Sequence, residues 1–155
     1  MKKVAYLFAP LFAMSLVACG GHKEVELTSE QFMQKVQAEP GIKTLPSGLA
    51  YRVIKSGEDK GPTPAKGDNM MLEYEGRLPD GYIFDSSERH GGLVQMPLDG
   101  LIPGWMEILP KMHSGDIWQV YIPSQLAYGE KSMGLIPANS ALVFRIHLLG
   151  VTKSN

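Results

Sequence analysis

Disulfide chemistry is missing. Cys19 is the single cysteine among 155 residues, so no bridge can form within the chain, and the fold must rest on a hydrophobic core. An excess of one charge is missing too. Fifteen Lys and Arg stand against sixteen Asp and Glu, which removes the electrostatic case for nucleic acid. No Gly-rich phosphate loop occurs. His22, His90, His113 and His147 lack metal-ligand spacing. Ser86-Ser87 are not framed by a nucleophile elbow. Acyl, phosphoryl and hydride transfer therefore have no visible machinery, and neither a metal nor a cofactor is expected. Turn formers, by contrast, are plentiful. Gly 17 and Pro 11 make up about 18% of the chain, against roughly 12% in average usage. That excess suits a β-rich architecture better than a helical bundle. With 44% hydrophobic residues, the composition supports one buried core.

The N-terminus has its own logic. Met1-Lys2-Lys3 is basic, and Val4 to Ala18 is an uncharged run of fifteen residues. A membrane-spanning helix needs about 20, so this reads as an export signal. Leu16-Val17-Ala18-Cys19, followed by Gly20-Gly21, resembles the lipobox of bacterial lipoproteins. The resemblance implies a signal peptide over 1–18, cleavage before Cys19 and lipidation of its thiol. Residues 19–27 would then be a tether. Gly20, where an Asp would signal inner-membrane retention, points to the outer membrane. Loss of Lys2 and Lys3 leaves 13 basic residues against 16 acidic ones, a formal charge of −3.

Residues 28–45 read as a short helix and a linker. Thr28-Ser29 offers hydroxyl caps, Phe32, Met33, Val36 and Gln37 share one helical face, and Pro40-Gly41 ends the segment. So short a helix is marginal alone and must dock on something. Beyond Ser47 the hydrophobic period changes from 3.6 to 2. Strands are expected over Leu49–Lys55, Asp68–Leu78, Tyr82–Asp85, Leu93–Pro97, Asp116–Ile122 and Ala141–Val151. In the second, Met70, Leu72, Tyr74, Gly76 and Leu78 point one way. In the last, Leu142, Phe144, Ile146 and Leu148 point inward. Pro103-Gly104 opens a helix with Trp105, Ile108, Leu109 and Met112 at i, i+3, i+4 and i+7. Pro110 should bend or end it. The expectation is an α+β domain over 46–155, a twisted antiparallel sheet with one short helix packed on it.

Five segments then stand in order: Leu72-Glu73-Tyr74-Glu75-Gly76-Arg77-Leu78-Pro79-Asp80-Gly81, Phe84-Asp85-Ser86-Ser87, Leu101-Ile102-Pro103-Gly104-Trp105, Pro123-Ser124-Gln125-Leu126-Ala127-Tyr128-Gly129 and Ile136-Pro137-Ala138-Asn139-Ser140-Ala141-Leu142-Val143-Phe144. Together they resemble the FK506-binding-protein family of peptidyl-prolyl cis–trans isomerases, and most closely its macrophage infectivity potentiator branch. The resemblance implies a half-barrel of five or six antiparallel strands wrapped around a short α-helix. It implies a proline pocket floored by Trp105 and walled by Tyr74, Phe84 and Phe144. Leu101, Ile102 and Ile136 would add apolar contacts. The Ile102 N–H and the Tyr128 hydroxyl would bind substrate carbonyls, and Asp85 would sit at the rim beside the carbonyl that rotates. Asp85 and Tyr128 read as loop-borne polar groups beside an apolar cup. The implied partners are proline-containing polypeptides, inhibitors of the FK506 and rapamycin type, and a membrane reached through the lipid anchor. A non-catalytic chaperone or adaptor on the same scaffold is the alternative. Three features depart from the family pattern, one of them Ser132-Met133 at the loop tip before Gly134. Val94 and Met96 stand where aromatics are common, which should widen the cup on that side. The N-terminal helix is short, so a monomer is expected.

Overall fold

The computed structural model describes residues 26–57 and 61–154. The expected signal peptide, Cys19 and most of the tether lie outside the described residues. Helix α1 (Ser29–Gln37) begins where side chains can satisfy free backbone N–H groups. Thr28 Oγ1 accepts from the Gln31 N–H at 3.2 Å, and Gln31 Oε1 accepts from the Thr28 N–H at 3.0 Å. This reciprocal pair is a capping box.

Among the described residues seven strands follow: β1 (Lys43–Thr44), β2 (Ala50–Lys55), β3 (Asn69–Arg77), β4 (Ile83–Ser86), β5 (Val94–Pro97), β6 (Ile117–Ile122) and β7 (Leu142–Thr152). The six expected from sequence all form, each within one residue of its expected ends. The seventh, β1, lies in the segment read as linker. It pairs Lys43 with Tyr51 and Thr44 with Ala50, and two residues are too few to show alternation. The sheet is antiparallel in the order β1-β2-β6-β7-β3-β4, and β5 also pairs with β3. Its centre is the long β3–β7 ladder, from Asn69–Thr152 to Arg77–Val143.

Alternation along these strands sorts the side chains onto two faces. Met70, Leu72, Trp118, Val120, Ile122, Leu142, Phe144, Ile146 and Leu148 form one buried face. Helix α2 (Pro103–Ile108) packs against it through Trp105 and Ile108, joined by Leu109 and Met112. Pro103 occupies the first turn, where its missing N–H costs nothing. Pro110 has no N–H to continue the ladder, and the chain tightens into a 3₁₀ turn over Leu109–Lys111. On the opposite face α1 sets Met33 and Val36 against Ala50, Tyr121 and Ala141, with the Phe32 ring 6.4 Å from Tyr121. The short helix is therefore docked on its own domain. The C-terminal end of the sheet is held by Asp68, which is buried. Its carboxylate accepts from the Ala65 and Ser154 N–H groups and from Lys153 Nζ at 2.8, 3.0 and 2.8 Å. The Lys153 ammonium, aided by those N–H groups, holds the Asp68 carboxyl below its ordinary value.

Candidate active site

Four aromatic rings converge beside α2 from three strands and the helix. The Tyr74 ring meets Trp105 edge-on at 5.4 Å. Trp105 meets Phe144 at 5.1 Å and 81°. Phe144 meets Phe84 at 5.6 Å and 89°. Each geometry is the edge-to-face arrangement favoured by ring quadrupoles. One glycine makes it possible. A Cβ on Gly76 would lie 2.6 Å from Phe84 Cζ and 2.7 Å from Phe144 Cε1, so the two rings meet over the backbone of β3.

At the Phe84 edge of this cluster opens a cleft of about 350 Å³, lined by Phe84, Asp85, Tyr128, Met133, Leu135 and Ile136. Trp105, Tyr74 and Phe144, expected as its floor and walls, are not in that lining; Trp105 and Phe144 are each 5% exposed, and Phe144 meets the cleft's Phe84 edge-on. Leu101 and Ile102 are half-buried and pack on the same core from the segment entering α2. They are not part of the cleft's lining. The Ile102 carbonyl is taken by the Trp105 and Met106 N–H groups. Its own N–H and the Tyr128 hydroxyl have no hydrogen-bond partner among the described residues. Val94 and Met96 are half-buried on β5, opposite Leu72 and Met70.

Asp85 corrects the sequence reading in one respect. It is not on a loop but within β4, paired with Gly76, because the return arm of the hairpin runs one residue further than Asp85. Its Oδ2 accepts from the Tyr74 hydroxyl at 2.7 Å, and its Oδ1 accepts from the Ser86 N–H at 2.9 Å. His90 Nε2 lies 3.0 Å from the same Oδ1. Partial burial pushes the Asp85 carboxyl up, but the bonds from Tyr74, His90 and Ser86 outweigh it and hold the group below the ordinary carboxylate value. Burial, then the bond to Asp85, drives the Tyr74 phenol well above its ordinary value. Tyr74 is thus a neutral donor and Asp85 a fixed acceptor at the cleft wall.

Leu135 and His90 were not singled out from sequence as site residues, and Met133 was noted only as part of the loop tip before Gly134. Met133 and Leu135 are 48% and 56% exposed and flank Ile136 at the mouth. Their apolar character within a polar loop was the available signal. His90 had none, because its contact depends on a turn. A larger groove of about 1680 Å³ runs between α1, the Leu78–Asp80 turn and the Pro137–Ala141 segment. It contains neither the aromatic cluster nor the Asp85–Tyr74 pair, whereas the smaller cleft is lined by Phe84 and Asp85. Among the described residues no three His, Cys, Asp or Glu side chains converge as a metal site would require.

Residues 61–149 match the family described as FKBP-type peptidyl-prolyl cis-trans isomerase. The peptidyl-prolyl cis-trans isomerase Mip of Coxiella burnetii is 43% identical over 126 residues, which is 81% of this chain and 54% of that protein. The outer membrane protein MIP of Legionella longbeachae is 41% identical over 133 residues, 85% of this chain and 56% of that protein. The chain spans about half the length of these curated relatives. The crystal structure of FkpA from Escherichia coli superposes with a TM-score of 0.76 at 38% identity, covering 82% of this chain and 59% of that one. An isomerase structure from Pseudomonas syringae gives 0.74 at 37% identity, covering 81% and 91%. With the sheet, the central helix and the aromatic cleft in place, the chain belongs to the FKBP-type peptidyl-prolyl cis–trans isomerase family.

Proposed function

We propose that this protein catalyses rotation about X–Pro bonds in exported polypeptides while held at a bacterial membrane by a lipid on Cys19. The observation that carries the catalytic reading is the cleft lined by Phe84, Ile136 and Asp85, with the unpartnered Tyr128 hydroxyl at its wall and the edge-to-face chain Phe84–Phe144–Trp105–Tyr74 running from it into the core. An amide resists rotation by about 18–20 kcal/mol because resonance gives its C–N bond double-bond character. The planar form is the more charge-separated. A dry aromatic wall destabilises that form relative to the twisted one, which is differential binding without nucleophile or cofactor. In this reading Ile102 N–H and Tyr128 Oη hold the flanking substrate carbonyls. Asp85, fixed by Tyr74, faces the carbonyl that turns. Uncatalysed X–Pro isomerisation takes tens to hundreds of seconds, slow enough to limit the folding of exported chains. Inhibitors of the FK506 and rapamycin type would compete for the same cleft, and the protein would act as a monomer.

Exchange NMR on an X–Pro peptide tests the activity. The purified chain should accelerate cis–trans exchange, and Asp85→Ala should reduce that acceleration. No acceleration by the wild type sinks the reading. The membrane assignment rests on the Leu16–Cys19 sequence, and it accords with the name of the Legionella longbeachae relative. Cys19→Ala should release the protein from the membrane fraction or leave an uncleaved precursor. Normal maturation and unchanged fractionation of that variant would refute lipidation.

A further inference from the structure

Strands β4 and β5 lie along the same edge of β3, so the chain between them must leave the sheet and return. It leaves as a single 3₁₀ turn over Ser87–His90. Three sets of bonds pin that turn. Ser87 Oγ accepts from the Tyr74 N–H at 3.1 Å. The Arg89 guanidinium donates to the Phe84 and Ile83 carbonyls at 2.9 and 3.3 Å. Gly91, at φ 98°, closes the turn by donating to the Glu88 carbonyl, a left-handed conformation that favours glycine. The pinned turn carries the His90 ring back over Asp85, five residues earlier in the chain.

The contact has a definite polarity. An ionised carboxylate only accepts, so His90 Nε2 must carry the proton it shares with Asp85 Oδ1. His90 therefore holds one carboxylate oxygen while Tyr74 holds the other. Asp85 on β4 and Tyr74 on β3 are the ionisable groups at this contact, and Glu88 and Arg89 are the charged neighbours on the turn itself. Arg89 is committed to backbone carbonyls. The Asp85 carboxyl is held low and the Tyr74 phenol is held high. Between pH 5 and 8, where imidazoles change charge, Asp85 stays an anion and Tyr74 stays neutral.

We propose that His90 is a positioning residue for Asp85, and that its protonation locks the carboxylate against Tyr74 and raises isomerase activity as the pH falls. The inference rests on the isomerase reading above. A charge-assisted hydrogen bond is roughly twice as strong as a neutral one. Protonation also cancels the negative charge at the cleft mouth, where a carbonyl oxygen must turn. Both side chains are partly exposed, at 54% and 37%, so water limits the effect to about three- to fivefold in kcat/KM.

The test is exchange NMR, which works at any pH, on the purified full chain between pH 5.5 and 8.5. Wild-type kcat/KM should fall about three- to fivefold across that range. His90→Arg, which keeps a charged donor throughout, should give a flat profile near the acidic wild-type level. His90→Leu, which donates no bond at any pH, should be flat at or below the alkaline level. Melting curves at each pH establish that all three are folded. A merely structural role for His90 would lower the melting temperature of His90→Leu and leave the pH slope in place. A wild-type profile that is flat, or a slope that survives in His90→Leu, overturns the proposal while leaving the isomerase reading intact. A wild type inactive at every pH overturns both.

Discussion

Replacing Gly76 with alanine tests the aromatic architecture at its tightest point. The new Cβ would stand 2.6 Å from Phe84 Cζ and 2.7 Å from Phe144 Cε1, about 0.9 Å inside the ordinary carbon–carbon contact of ~3.5 Å. Phe144 cannot retreat, because Trp105 lies edge-on to it at 5.1 Å and α2 backs the indole. Phe84 is half-buried at the cleft, so its ring is the one that yields, moving into the space a proline ring would fill. Overpacking of this kind costs about 1–3 kcal/mol, which lowers Tm on the order of 5–10 °C for a domain of this size. Activity should fall further than stability, by about tenfold or more, because the displaced ring misplaces substrate. Thermal unfolding by circular dichroism reads the first quantity and exchange NMR the second. Adding Phe84→Leu to the Gly76→Ala background should recover stability, since the flexible leucine relieves the clash, and the coupling between the two changes is what a double-mutant cycle measures. A Gly76→Ala protein that melts within ~2 °C of wild type and keeps full activity would refute the reasoning.

Three further outcomes follow from other parts of the fold. Tyr128→Phe should lower kcat/KM about two- to tenfold, the worth of one hydrogen bond, with Tm unchanged because the hydroxyl has no partner among the described residues. Met33→Ala, 5% exposed under α1, should cost about 2–3 kcal/mol in chemical denaturation with activity retained, since α1 lies on the face opposite the aromatic cluster. Asp68 is held below its unfolded value of 3.8. Its contribution is therefore complete above that value and disappears as pH falls through the lower folded value. Asp68→Asn should weaken the protein at neutral pH and flatten the loss of stability on acidification, as followed by urea unfolding from pH 7 to pH 2.5. An unchanged acid slope would show that the clamp to Lys153 and Ser154 contributes nothing.

The elements were legible because their signals are local. A capping box at Thr28 and Gln31, a proline at the first turn of α2, and alternation along β3 and β7 all act within a few residues. The aromatic cluster was legible only through the order of five motifs, since Tyr74, Phe84, Trp105 and Phe144 carry no sequence signal that distinguishes a pocket wall from core filler. Asp85 was read as loop-borne although the expected strand Tyr82–Asp85 ended on it, because strand ends are the weakest part of a periodic pattern; it pairs with Gly76 in the sheet. Leu135 was passed over, and Met133 was noted only as a departure at the loop tip, because an exposed apolar residue in a loop is ordinary until a cleft is seen beside it.

Sequence alone determined the two helices and six of the seven strands, the strands to within one residue of their ends, which side chains face inward, and which family the motifs resemble. Each of these depends on the period of the chain and the chemistry of its turns. Tertiary structure decided the rest. The β3–β7 ladder joins residues some seventy positions apart, and that register is what brings Gly76 under Phe144. The choice of sheet face for α1 depends on the small Ala50 and Ala141 lying beside Tyr121. The meeting of His90 with Asp85 depends on a strand broken in two along one edge, with a pinned turn between the pieces. No local periodicity encodes contacts made by chain reversal, because they arise only when distant strands have fixed the ends between which the chain must turn.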